Sequence, residues 1–160
     1  IYGGGHQKGM RSGTENIIGI AGFGAAAEAG FKNLGADVSY LKELRSYALS
    51  KLASLDVKVN LPCAECAPHV INITLPSIKS ETMLHHLSAN GIYVSSGSAC
   101  SSNSSIKKIS RALRGFGLSD LEADCSMRIS FSRYNTKDDI DCLTTHLDEG
   151  ISKLVKINRH

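Results

Sequence analysis

The sequence predicts an α/β sandwich, a sheet of three to five short strands, partly antiparallel, backed by helices. Three observations predict it. Val57 to Leu61, Val70 to Leu75 and Met127 to Phe131 carry the alternation or β-branched richness of strands. Leu41, Leu44, Ala48, Leu52 and Leu55, and later Ile140, Leu143, Leu147, Ile151 and Leu154, recur at helical spacing. Between them, Pro76, Asn90-Gly91 and Gly115 punctuate the chain where one period gives way to the other.

In order along the chain, residues 1–14 are Gly-rich and end in Arg11-Ser12-Gly13-Thr14. Their glycines permit unusual backbone angles and close approach by a ligand. From Glu15 to about Leu34 an Ala/Gly/Ile-rich stretch without Pro reads as a tightly packed helix, with Thr14 as its N-cap and Gly35 as its stop. The row from Leu41 to Leu55 is a second helix or the continuation of the first. Strands over Val57 to Leu61 and Val70 to Leu75 follow. Ser80 opens a short helix that Asn90-Gly91 ends. Ile92-Tyr93-Val94 is a short strand. Ile106, Ile109 and Leu113 give a helix ended by Gly115, and Ser119 and Glu122 have the spacing of a capping box. The strand Met127 to Phe131 precedes a last helix capped by Thr136.

Bulk properties exclude several classes. At 160 residues and 42% apolar content the chain can bury one core. A net charge of +3, with scattered basic residues, argues against nucleic acid. No apolar stretch approaches a membrane span, and no signal peptide is visible. Five cysteines, an odd number, read as reduced thiols in a cytoplasmic setting rather than a disulfide framework. The chain opens on Ile1 without an initiator Met and reads as a fragment of something longer.

Cys100 lies in the run Ser95-Ser96-Gly97-Ser98-Ala99-Cys100-Ser101-Ser102-Asn103-Ser104-Ser105. Small, uncharged residues cannot bury themselves, so the run reads as a mobile surface loop. A thiol there is either a nucleophile that collects a group and delivers it elsewhere, or an incidental cysteine in a linker. Strand alternation puts Arg128 opposite Met127, Ile129 and Phe131, beside Ser130. A guanidinium there takes a carboxylate in a bidentate pair or is simply solvated. Arg11, Ser12, Gly13 and Thr14, ahead of a helix, offer an anion site suited to phosphate. Cys63-Ala64-Glu65-Cys66 with His69 has spacing for zinc or a dithiol. No second pair completes four ligands, so the run reads as a surface loop and no metal site is expected. His85 and His86 diverge on their helix and read as surface or partly buried residues. His6 lies in the Gly-rich start, its partners undetermined.

Three of these segments together resemble one family. Gly3 to Asn16 resembles the GGGQE(R/K)G-x-RSGTEN segment of cysteine desulfurases, with His6-Gln7-Lys8 as a variation. Ser95 to Ser102 is similar to the SSGSACSS active-site loop of the group-I form. Arg111-Ala112-Leu113 through Ser132 resembles the family's RALG…(I/V)R-x-S(F/L) stretch. The resemblance implies the small C-terminal domain of a fold type I, pyridoxal-phosphate-dependent transferase of the class-V aminotransferase type. On that reading residues 1–14 belong to the cofactor site, and residues 15–160 form the small domain, with its Cys loop over about 95–105. It further implies a homodimer that converts L-cysteine to L-alanine. Cys100 would carry the sulfur as a persulfide and pass it to an iron–sulfur scaffold or another sulfur acceptor. Arg128 would hold the substrate carboxylate. Thr14, with Arg11, Ser12 and Gly13 beside it, would contact the cofactor phosphate in the partner subunit's site.

Two departures accompany the resemblance. The family's cofactor lysine lies in a Ser-x-His-Lys motif that these 160 residues do not contain, so on their own they are expected to be inactive. Residues 101–110 lack the Pro-Ser-His that commonly precedes the RAL helix. Two other classes stay open at this point: a stand-alone thiol carrier or scaffold-docking module, and a zinc module through Cys63 and Cys66.

Overall fold

The computed structural model describes residues 2–60, 66–96 and 111–157. They fall into two compact units, Ile1–Asp37 and Val38–His160.

The first unit starts with a tight turn, His6–Gly9, in which Gln7 and Lys8 take left-handed backbone angles. Helix α1 (Ile17–Leu52) begins two residues later than expected, and Thr14 is not its cap. Asn16 caps it instead, its Oδ1 accepting from the Gly19 N–H at 3.0 Å. Asn is the stronger N-cap. Gly19 makes room for it, since a Cβ there would lie 2.6 Å from Asn16 Nδ2. Ile17, Ile18, Ile20, Phe23, Phe31 and Leu34 are all exposed in this chain. Gly35 does not stop the helix. An interior glycine costs only about 1 kcal/mol relative to alanine, less than breaking a backbone ladder that continues on both sides. The row from Leu41 is therefore the continuation of the first helix, one of the two readings the sequence allows.

The second unit opens with the last turns of α1, where Leu44, Ala48 and Leu52 are buried at i, i+4 and i+8. Then come β1 (Lys58–Asn60), β2 (Val70–Thr74), α2 (Ser80–Ala89), β3 (Ser95–Ser96), α3 (Arg111–Gly115), α4 (Asp120–Asp124), β4 (Ser126–Ser130) and α5 (Lys137–Ile157). The four strands form one sheet in the order β1-β2-β4-β3, and every pair is antiparallel. Ile73 faces Val59 on one side and Met127 on the other, and Ile71 faces Ile129. These apolar positions share one face of the sheet by alternation. With Leu44, Leu52, Met83, Leu87, Ile140, Leu143 and Leu147 they form the main core.

Caps decide where the elements end. Gly91 (φ +75°) closes α2: its N–H bonds Ser88 O, and the Ile92 N–H bonds Leu87 O, both at 3.0 Å. That is a Schellman motif. It uses the Ile92 amide, which explains why the strand expected over Ile92-Tyr93-Val94 forms later, at Ser95–Ser96. The same motif ends α3 through Gly117 (φ +77°), with Leu113 and Leu118 both buried beside it. Ser119 and Glu122 form both halves of a capping box on α4. Thr136 and Asp139 make the reciprocal pair at the start of α5, as the sequence predicts for Thr136.

Candidate active site

The face of the sheet away from the core is polar because the strands alternate. Lys58 and Asn60 come from β1, Asn72 and Thr74 from β2, Ser126, Arg128 and Ser130 from β4, and Ser95 from β3. Register sets Asn72 opposite Arg128, and Arg128 opposite Ser95. Arg128 is exposed, and its Nη2 donates to Ser95 Oγ at 3.2 Å. Among the described residues no carboxylate pairs with it. A guanidinium whose only described partner is one hydroxyl keeps most of its five donors for an incoming anion.

A hydrogen-bonded chain fixes the backbone beneath this arginine. Asn60 Nδ2 donates to Asn72 Oδ1 at 2.7 Å and to Thr74 Oγ1 at 2.8 Å. Thr74 Oγ1 and Ser126 Oγ are 3.0 Å apart, and Ser126 Oγ donates to the Glu122 carbonyl at 2.8 Å. Asn72 Nδ2 donates to the Met127 carbonyl at 3.1 Å, one residue before Arg128. Buried polar groups linked this way specify register, because a slip of one residue would strand each of them. At the end of the chain, Glu122 is held down to about 2. Its causes are Lys58, whose Nζ lies 2.7 Å from Glu122 Oε1, then the N–H and hydroxyl of Ser119. Neither the Ser95 contact nor this chain was anticipated from the sequence; the alternation of β2 and β4 was the available signal.

The remaining expectations divide by location. Cys100, Cys63 and most of the run 95–105 lie outside the described residues, while Ser95 and Ser96 are paired in β3. Cys66 is half-buried and Cys142 exposed, both as thiols. Burial pushes the Cys125 thiol up, and Asp124 adds to it, so Cys125 is a poor nucleophile. His85 is exposed and His86 half-buried, as expected.

In the first unit, Arg11 is engaged by its own neighbours. It pairs with Glu15, and its Nη1 donates to the Gly13 carbonyl at 2.9 Å. Ser12 Oγ donates to the Gly4 carbonyl at 2.7 Å. Gly13, at φ +101°, is the turn that lets Arg11 fold back. Thr14 is exposed. Of the four candidates for a phosphate, the Thr14 hydroxyl fits as a donor, whereas Arg11 and Ser12 are held in intramolecular bonds. No described helix is long and apolar enough to cross a membrane.

A sequence model of the aminotransferase class-V family matches residues 4–143. The chain is 34% identical over 155 residues to the cysteine desulfurase IscS of Buchnera aphidicola, covering 96% of this chain and 37% of that protein. It is 34% identical to the cysteine desulfurase IscS of Dictyoglomus turgidum, covering 99% and 40%. A NifS-like protein of Rickettsia africae superposes with a TM-score of 0.79 at 31% identity, over 95% of this chain and 39% of that one. The chain thus spans about two fifths of the length of the curated relatives it matches. The match over residues 4–143 makes the chain a member of the class-V aminotransferase family, similar within it to the cysteine desulfurases.

Proposed function

We propose that this chain provides the sulfur-carrying thiol and the substrate-carboxylate anchor of a cysteine desulfurase. The observation that carries the reading is the Arg128–Ser95 hydrogen bond. It ties an arginine without a described counter-charge to the strand that leads into the Cys100 run. Cys100 is four positions on from Ser96, a reach of at most about 14 Å along extended chain. That reach is short enough for the anchor and the thiol to serve one substrate, which supports the reading.

In the proposed reaction Arg128 binds the carboxylate of L-cysteine as a bidentate pair and fixes its orientation. The Cys100 thiolate takes the substrate sulfur: an S–S bond forms, the substrate Cβ–S bond breaks, and Cβ gains a proton to give L-alanine. Bound pyridoxal phosphate would supply the electron sink for bond cleavage next to the amino-bearing carbon. Thr14 is the residue in this chain whose hydroxyl suits the phosphate. The Cys100 persulfide then passes to an iron–sulfur scaffold or another sulfur acceptor. The small uncharged residues around Cys100 suit it to that delivery. A homodimer in the cytoplasm, with Thr14 serving the other subunit's site, is part of the same reading. These 160 residues alone would be inactive, having no Ser-x-His-Lys lysine.

The test is Cys100→Ala in the full-length protein. Alanine production and sulfur transfer should fall to background while the pyridoxal absorbance stays. Sulfur transfer that survives the substitution would overturn the assignment of Cys100, and lost absorbance would move its role to cofactor binding.

A further inference from the structure

We propose that His86, His146 and Glu149 form a binding site for a first-row divalent transition ion of the zinc class, clamping α2 to α5. One ligand atom from each of the three lies within 4.8 Å of the other two. His146 Nδ1 is 3.5 Å from Glu149 Oε2, and it is buried with no hydrogen-bond partner among the described residues. That spacing is long for a hydrogen bond. It suits two ligands on one tetrahedral ion, which at about 2.0–2.1 Å from each would hold them roughly 3.3–3.5 Å apart. His86 enters from the other helix, its Nε2 3.1 Å from the His146 carbonyl.

The helix crossing is built around these rings. A Cβ at Gly150 would lie 2.8 Å from His86 Cδ2, 2.7 Å from Met83 Sδ and 2.9 Å from Met83 Cε. A side chain at 150 would push into Met83 and the His86 ring, so glycine there makes room for His86 beside the His146–Glu149 turn. Two imidazoles and one carboxylate favour zinc-class ions over magnesium or calcium, which prefer oxygen. Three protein ligands leave a fourth position for water. Lys153 Nζ, 3.6 Å from Glu149 Oε2, is the cation that an incoming ion would displace. All three ligands belong to the second unit, and none of them takes part in the proposed sulfur chemistry.

The experiment is a Zn2+ titration of the full-length protein carrying Cys63→Ser, Cys66→Ser, Cys100→Ser and Cys142→Ser, which leaves this chain only Cys125, whose raised pKa makes it a poor zinc ligand. One site is expected, with Zn2+ raising the melting temperature. His86→Gln and His146→Gln should each weaken binding at least about 10-fold, since even residues that only support a metal's ligands cost that much. Glu149→Gln, at an exposed position, tests the site without touching the core and should weaken it as well. Lys153→Gln should strengthen it. Ring signals of His86 and His146, followed by NMR in the protein without His substitutions, should shift together as Zn2+ is added. Binding that ignores Glu149 and Lys153, or ring signals that stay in place, would overturn the proposal.

Discussion

Gly150→Ala sets helix propensity against packing in one substitution. In an open helix interior the change would stabilise by about 1 kcal/mol. Here the new methyl would meet three atoms closer than 3.0 Å. Two belong to Met83, a flexible side chain, but Met83 is 0% exposed, so it moves only by displacing its core neighbours. The third is on the His86 ring, held by its bond to the His146 carbonyl. Forcing a methyl into a filled core costs about 1–3 kcal/mol. The expected net is a loss of about 1 kcal/mol. Urea unfolding followed by far-UV circular dichroism should show a lower midpoint with an unchanged slope. Adding Met83→Ala should relieve the clash, so the double variant should be more stable than the sum of the single effects by about 0.5–3 kcal/mol. A Gly150→Ala protein more stable than the parent would refute the close helix crossing.

Glu122 is ionised well below its ordinary 4.5, at about 2, chiefly through Lys58. Its contribution to stability is therefore complete above pH 4.5 and fades as the pH falls through about 2. Glu122→Gln should flatten stability against pH across that window, as read by urea midpoints at each pH. Leu147→Ala, at a fully buried position, should cost about 2–5 kcal/mol in the same unfolding assay. Arg128→Lys keeps the charge but loses the fork. In the full-length protein it should raise KM for L-cysteine about 10-fold or more, with little loss of stability because Arg128 is exposed. An unchanged KM would remove Arg128 from carboxylate binding.

Features set by neighbours in sequence were legible. Ser119 with Glu122, Thr136, and Asn90-Gly91 act within four residues, and the chain alone specifies them. The side of β4 that carries Arg128 followed from alternation over five residues. The cap at Asn16 was misplaced because Thr14 and Asn16 are both competent, and the choice turned on room above Gly19. β3 was misplaced because two residues have no period to read. What pairs across the fold was not legible: Asn60 reaching Thr74, Ser95 meeting Arg128, or α2 crossing α5 at Gly150. Each depends on strand order or helix approach, which local pattern does not encode.

The strand order also bears on how the chain is made. β4 lies between β2 and β3, yet it follows both in sequence. Until residue 130 leaves the ribosome, β2 has only β1 beside it, and β3 has no strand to join. The carboxylate anchor and its Ser95 partner therefore come together late, after a closure spanning 33 residues. A nascent chain stalled before β4 would present the open edge of β2, with the backbone groups that pair with β4 unmatched, to any other strand nearby. Synthesis of this domain is thus most vulnerable to aggregation just before the step that creates its binding arginine.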